Sequence, residues 1–193
     1  MTEPELIKGI LQRDHRAFEC LVNRYQKQVI KTASYFLGNM EDAEDLSQEI
    51  FIDIIYSINS FKQNSSLSTW IYRITVNKSL NMVKKQQRRG IMVRLESLFS
   101  HSAEHHTRHD PEPSISPDGV AEQEKRQLLH AAINRLPENQ RIAFVLHKFD
   151  DQSYKQIAEI MKTGLPAVES LIHRAKLNLQ QKLMYQFSEY KKT

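Results

Sequence analysis

Between Ser100 and Pro117 the chain loses the apolar spacing that marks it on either side, and this break most limits what it can fold into. The stretch is polar, holds Pro111, Pro113 and Pro117, and carries His101, His105, His106 and His109. It offers too little apolar surface to offset the entropy of ordering, so it reads as a flexible linker. With its acidic margins the linker covers 90–121, which leaves an N-terminal unit of 1–89 and a C-terminal unit of 122–193. In both units apolar residues recur at intervals of three and four, the period of one helix face. Five Gly and six Pro in 193 residues are too few for many short strands joined by tight turns. The expected fold is all-α: two small helical domains joined by a flexible linker.

The N-terminal unit reads as successive helices. Asp14 suits an N-cap, and Phe18, Leu21, Val22, Tyr25, Val29, Ala33 and Phe36 form one face up to the stop at Gly38-Asn39. A second helix starts near Glu41 and turns Ala43, Leu46, Ile50, Phe51, Ile54 and Ile58 inward. After the polar loop Lys62–Ser66, a third starts near Ser68. Its apolar residues split, with Trp70, Ile71 and Ile74 on one side and Val76, Leu80 and Val83 on the other. That helix either packs on two sides or presents one of them to a partner.

The C-terminal unit ends in two helices in close succession. Ser153-Tyr154-Lys155-Gln156 has the form of a capping box, and the helix behind it buries Ile157, Ala158 and Met161. Thr163-Gly164-Leu165 makes a turn, with Gly164 free to become left-handed, and Pro166 opens the next helix. Val168, Leu171, Ile172, Ala175 and Leu179 anchor that helix, while Ser170, His173, Arg174 and Leu177 lie opposite, with Lys176 at the margin. This is either a helix-turn-helix, whose second helix needs donors for phosphates and base edges on that face, or a plain helical hairpin with a solvated side.

The net charge of +4 is unevenly spread: +3 over residues 1–89, −5 over 90–124 and +6 over 125–193. Two basic blocks suit a polyanion such as nucleic acid, though ordinary solvated lysines would look the same. Cys20 is alone, which rules out an internal disulfide and fits a reducing compartment. The N-terminus lacks the basic-then-apolar form of a secretory signal, and no apolar run approaches the roughly 20 residues of a membrane span, so no membrane insertion is expected. No Gly-rich phosphate loop, nucleophile elbow or metalloprotease motif is present; neither catalytic residues, cofactor nor bound metal are expected. The linker histidines have i, i+4 spacings that could hold a metal in a helix, but no Cys accompanies them and Pro and Ser surround them.

On the second helix, Asp42, Asp45, Glu49, Ile52 and Tyr56 lie opposite the buried face. The stripe is acidic with two apolar side chains: either a surface suited to a basic protein partner rather than to DNA, or an ordinary solvated acidic face at a helix N-terminus, where acids complement the dipole. Around it, four segments resemble the extracytoplasmic-function class of bacterial RNA polymerase sigma factors, in the order of that family. They are Ala17–Tyr25; Asp42-Ala43-Glu44-Asp45-Leu46-Ser47-Gln48-Glu49-Ile50-Phe51; Phe61 with Ser68–Ile74 and Asn77; and a C-terminal set of Leu136-Pro137, Arg141, Ser153-Tyr154, Ile157-Ala158, Val168-Glu169-Ser170 and Arg174-Ala175.

The resemblance implies a non-enzymatic, cytoplasmic protein that binds core RNA polymerase, directs it to promoter DNA and is held in check by an anti-sigma factor. It implies polymerase docking by Asp42, Asp45, Leu46, Gln48, Glu49, Ile52 and Tyr56. It implies capture of a flipped −10 base by the loop, with Lys62, Asn64 and Ser65, and contact with the separated strand by Ser68, Thr69, Tyr72, Arg73, Asn77 and Lys78, backed by Lys84, Lys85, Arg88 and Arg89. It implies reading of the duplex −35 element by Ser153, Tyr154, Ser170, His173, Arg174 and Lys176. Leu165-Pro166-Ala167-Val168 departs from the Gly-Thr-Val-like start usual in the family, and Glu169 stands where a base is common. The alternative is a stand-alone helix-turn-helix regulator, which would bind duplex DNA without polymerase.

Overall fold

The computed structural model describes residues 1–99 and 127–190, and every regular element among them is helical. The linker histidines His101, His105, His106 and His109 lie outside the described residues. In chain order the helices are α1 (Glu3–Leu11), α2 (His15–Leu37), α3 (Met40–Ser57), a 3₁₀ turn (Ile58–Ser60), α4 (Leu67–Phe99), α5 (described over 127–134), α6 (Glu138–Lys148), α7 (Tyr154–Met161) and α8 (Leu165–Tyr190).

Local chemistry sets the helix ends. Asp14 caps α2 by accepting the Arg16 N–H at 3.0 Å, and Gly38 closes it at φ +74°, a left-handed conformation that favours glycine. Asn39 caps α3 through the Glu41 N–H, and Glu41 and Asp42 in its first turn complement the helix dipole. The capping box of Ser153 and Gln156 is formed.

Four details differ from expectation. Helix α1 was not foreseen, although Thr2 and Glu5 form a capping box and Pro4 sits in the first turn. Helix α4 is capped by Ser66, whose Oγ accepts the Thr69 N–H at 3.1 Å, not by Ser68. It also runs on through Gly90 to Phe99, into residues expected to begin the linker. Before the last helix, Lys162, not Gly164, takes the left-handed position, at φ +53°. There the Lys162 N–H caps α7 by donating to the Ala158 and Glu159 carbonyls.

Two apolar cores form. The first gathers Leu6, Ile7 and Ile10 of α1, Leu21, Tyr25 and Val29 of α2, Leu46, Ile50 and Ile54 of α3, and Leu67 and Ile71 of α4. The second gathers Ile133, Leu136, Val145, Leu146, Ile157, Val168 and Ile172, and it also takes Phe36 from α2 and Tyr72, Val76 and Leu80 from α4. The split apolar pattern of α4 is thereby accounted for except at Val83: Trp70, Ile71 and Ile74 serve the N-terminal core and Val76 and Leu80 are covered by the C-terminal unit, but Val83, expected beside them, joins the first core.

Candidate polymerase and nucleic-acid interfaces

On α3 the stripe expected to meet a protein partner is open to solvent. Asp45, Gln48 and Glu49 are exposed, and so are Ile52 (53%) and Tyr56 (79%), a large apolar area to leave uncovered. Asp42 is half-buried, with Oδ2 accepting from Gln86 Nε2 at 3.0 Å. Leu46 is corrected: it is buried in the N-terminal core and offers nothing to a partner. Its interval from Ile50 and Ala43 already places it on the inner face.

The loop before α4 is polar and mostly exposed at Lys62, Gln63 and Asn64, with Ser65 and Ser68 half-buried. Gln63 is left-handed at φ +55°. Phe61 at one end packs on Trp70 with ring centroids 5.2 Å apart. At the other end the Leu67 N–H donates to Glu3 Oε1 at 2.9 Å. Thr69 is buried, its hydroxyl 3.0 Å from Ser66 Oγ.

Further along α4, the residues expected to touch a separated DNA strand are occupied by the C-terminal unit. Arg73 donates from Nη2 to the Glu159 carbonyl at 2.6 Å and from Nε to the Ile160 carbonyl at 3.3 Å. Tyr72 is 6% exposed, and its hydroxyl accepts from Gln152 Nε2 at 3.1 Å. Burial, with the Asp150 and Asp151 charges, pushes its phenol far above the ordinary tyrosine range. Lys78 does not face outward as a phosphate contact: it pairs with Asp53 of α3 at 2.8 Å and lies 3.7 Å from Glu49. Asn77 stays exposed, beside a groove of about 480 Å³ between α4 and the α6–α7 corner. Lys84, Lys85, Arg88 and Arg89 line another groove with Asn81, and Lys84 pairs with Glu138 of α6 at 2.7 Å.

In the C-terminal unit, α8 presents Ser170, His173, Arg174 and Lys176 to solvent as expected, along with Glu169 and Leu177. Arg174 is folded back, with Nη2 donating to Ser170 Oγ at 2.8 Å. Tyr154, half-buried at the start of α7, sets its ring edge-on to His147 at 4.9 Å.

The seam between the units holds residues that sequence reasoning did not single out. Thr32 Oγ1 donates to Asp150 Oδ2 at 2.8 Å, and Lys31 Nζ lies 3.9 Å from Oδ1. The Asp150 side chain is 2% exposed, and burial raises its carboxyl to about 6 despite the Thr32 bond and the Lys31 charge. Tyr35 stacks on Phe149 at 4.1 Å, and His130 Nε2 lies 3.3 Å from the Phe36 carbonyl. Burial lowers the His130 imidazole below its ordinary range. The only signals in the sequence were Thr32 on an otherwise apolar helix face and an acidic turn before Ser153. Neither names a partner more than 100 residues away.

Among the described residues, no group of three or more His, Cys, Asp or Glu could hold a metal ion, and no helix is long and apolar enough to cross a membrane.

The Sigma-70 region 2 family model matches residues 21–89, and the Sigma-70, region 4 model matches residues 126–179. The chain is 32% identical over 185 residues to the "ECF RNA polymerase sigma-E factor" of Escherichia coli (strain K12), covering 95% of each chain. Among solved structures it is similar to CnrH, reported "in complex with the cytosolic domain of CnrY", at a TM-score of 0.66 and 18% identity, covering 95% of this chain and 97% of that one. It is also similar to a structure reported as the sigma factor RpoE "in complex with the anti-sigma factor NepR from Bartonella quintana", at a TM-score of 0.56 and 22% identity, covering 86% and 96%.

Proposed function

The chain belongs to the ECF RNA polymerase sigma factors, and from that premise we propose how its named residues divide the work. As a sigma factor of this class it binds core RNA polymerase, directs it to promoters and initiates transcription. In our reading, residues 1–89 act as region 2, residues 122–193 as region 4, and 90–121 as the connection between them. Polymerase docking falls to Asp42, Asp45, Gln48, Glu49, Ile52 and Tyr56, without Leu46. The acids steer the approach to a basic surface, and the two apolar side chains supply contact once water is displaced.

Strand capture falls to the loop Lys62–Ser66 and to Ser68, Tyr72, Arg73 and Asn77. Hydroxyls, an amide, an aromatic ring and a cation suit unstacked bases and their backbone. Duplex reading falls to Ser153, Tyr154, Ser170, His173, Arg174 and Lys176, where phosphate contacts supply affinity and base edges supply selectivity. No step requires chemistry from this chain, which works beside polymerase in the cytoplasm. An anti-sigma factor is a further partner in this reading, supported by the complex reported for the Bartonella quintana relative in fold.

The observation that carries this reading is the coexistence of two candidate DNA surfaces with one exposed acidic and apolar stripe. A stand-alone regulator has no use for the stripe. Because the C-terminal unit covers Tyr72 and Arg73, strand capture requires the two units to part. Docking of the α3 stripe on polymerase, with the C-terminal unit drawn to duplex DNA, would part them.

Run-off transcription with core polymerase on genomic fragments tests the whole. The expected result is discrete start sites that depend on this chain and vanish when Asp45 and Glu49 are reversed in charge. Tight, sequence-specific duplex binding by the chain alone, with no start sites above background, would overturn it.

A further inference from the structure

Glu3 reaches across the N-terminal unit to the far end of the base-capture loop. Its Oε1 accepts the backbone N–H of Leu67, 64 residues later, at 2.9 Å. Leu67 opens α4 and is fully buried, so its N–H has neither an intrahelical acceptor nor access to water. A carboxylate there satisfies the donor and also opposes the positive end of the helix dipole. The rest of the first turn is closed locally: Ser66 Oγ takes the Thr69 N–H at 3.1 Å, and the Ser66 carbonyl takes the Trp70 N–H at 3.2 Å.

Glu3 is itself firmly held. The Thr2 N–H donates to Glu5 Oε2 at 2.7 Å, Arg24 Nη2 donates to the Met1 carbonyl at 2.7 Å, and Leu6, Ile7 and Ile10 are buried in the first core. The neighbouring Tyr25 phenol is pushed up, first by burial and then by the Glu3 charge. The loop is therefore pinned at both ends, by Phe61 on Trp70 and by Leu67 on Glu3, while Lys62, Gln63 and Asn64 between them stay exposed. A pocket discriminates among bases only as well as its walls are fixed, and loose walls pay ordering entropy on every capture.

We infer that Glu3 is a positioning residue for base selection at the −10 element: through the Leu67 N–H it fixes how the loop leaves α4, and so which base the loop accepts. The residue lies outside the stretch matched by the region 2 family model, which begins at residue 21. The inference rests on the role proposed above for the loop.

The test uses holoenzyme assembled from core polymerase and the full chain. Its template is a barcoded library built on a promoter recovered by run-off, with the −10 segment randomised. The readout is the ratio of initiation from the preferred base to the next best at each position. Glu3→Ala is expected to cut that ratio roughly fivefold at the captured base, the scale of one lost helix-end bond. Glu3→Asp is expected to do the same, because the shorter side chain falls short of Leu67, and it decides the matter if Glu3→Ala does not fold. Glu3→Gln keeps an acceptor and restores most of the ratio.

A uniform fall in transcription with the ratio kept, in both Glu3→Ala and Glu3→Asp, overturns the inference and leaves Glu3 a purely structural role. The double variant Asn64→Ala/Ser65→Ala separates the two claims. Lost selectivity there, with none lost in the Glu3 variants, overturns the inference and spares the loop reading; unchanged selectivity in all of them overturns both.

Discussion

Asp150, in the turn that precedes the helix-turn-helix, accepts a hydrogen bond at 2.8 Å from Thr32 on α2, 118 residues earlier, and both side chains are buried. The pair ties the C-terminal unit, to which we assign duplex reading, to the N-terminal unit, to which we assign polymerase docking. It does so beside Tyr72, whose hydroxyl accepts from Gln152 of the same turn and which the proposed strand capture needs free.

Closure is expected to depend on pH through Asp150. In the seam its carboxyl is raised to about 6, chiefly by burial; once exposed it returns to the ordinary range near about 4. A raised value means that the closed arrangement favours the protonated form. Its stabilising contribution is full below about pH 4, falls as pH rises through 6, and stays level above that. The charges facing the group are Lys31, which favours ionisation, and Asp151, which opposes it. Energy transfer between labels at exposed Gln26 and Gln180 should report tightening on acidification from pH 7 to 4 in a Cys20→Ser/His130→Gln background, which removes the buried seam imidazole whose protonation would oppose closure over the same range. In Asp150→Asn the response should disappear; an undiminished response would assign it to another group.

Arg73 and Gln152 should separate closure from capture. Both hold the seam, but only Arg73 belongs to the proposed strand site. Gln152→Ala is expected to open the free chain and leave promoter opening by holoenzyme intact. Arg73→Ala should open the chain as readily but lower promoter opening by about tenfold, the scale of one lost charge-assisted contact. Permanganate footprinting of the −10 segment distinguishes them.

Asp45 and Leu46 are adjacent in sequence and should fail in different ways. Asp45→Lys, on the exposed face, is expected to weaken binding to core polymerase more than about tenfold while changing stability by less than about 0.5 kcal/mol. Leu46→Ala removes a core side chain and should cost about 2–5 kcal/mol. Its effect on polymerase binding should vanish wherever the folded population is corrected for. Thermal melts beside titrations with labelled core polymerase give both numbers.

Ser153 and Arg174, both assigned to duplex reading, should differ in stability, because only Ser153 also caps a helix. Loss of the cap in Ser153→Ala should cost about 1 kcal/mol of stability. Arg174→Ala should leave stability unchanged, since its bonds to Ser170 are exposed, and should weaken holoenzyme binding to −35 duplex. If Arg174 meets phosphate, the slope of log K against log salt should become shallower by about 1; if it meets a base edge, binding should weaken by about 1–3 kcal/mol at one sequence position with the slope kept.

Much of this protein was legible in one dimension because its determinants are local. The intervals of three and four among Leu21, Tyr25 and Val29, or Ala43, Leu46 and Ile50, set both the helices and their inner faces. Asp14, Gly38 and the Ser153–Gln156 box marked helix ends through bonds that span no more than four residues. The exposed stripe of α3 and the polar face of α8 follow from the same period, so two of the three proposed surfaces could be drawn before any fold was seen.

The sequence by itself therefore determined most of the helices, with α1 and the far end of α4 the exceptions, together with their polarity and the likeness to a sigma factor, because these depend on side chains close together along the chain. Tertiary structure alone decided that α4 is shared between two cores, that Arg73 and Tyr72 are held against α7 and its preceding turn, that Asp150 pairs with Thr32, and that Glu3 caps the helix behind the capture loop. These bonds join residues 64 or more apart, and each depends on how helices cross in space. No period or spacing in the chain encodes that crossing, because many partners of equal chemistry were available to every one of those side chains.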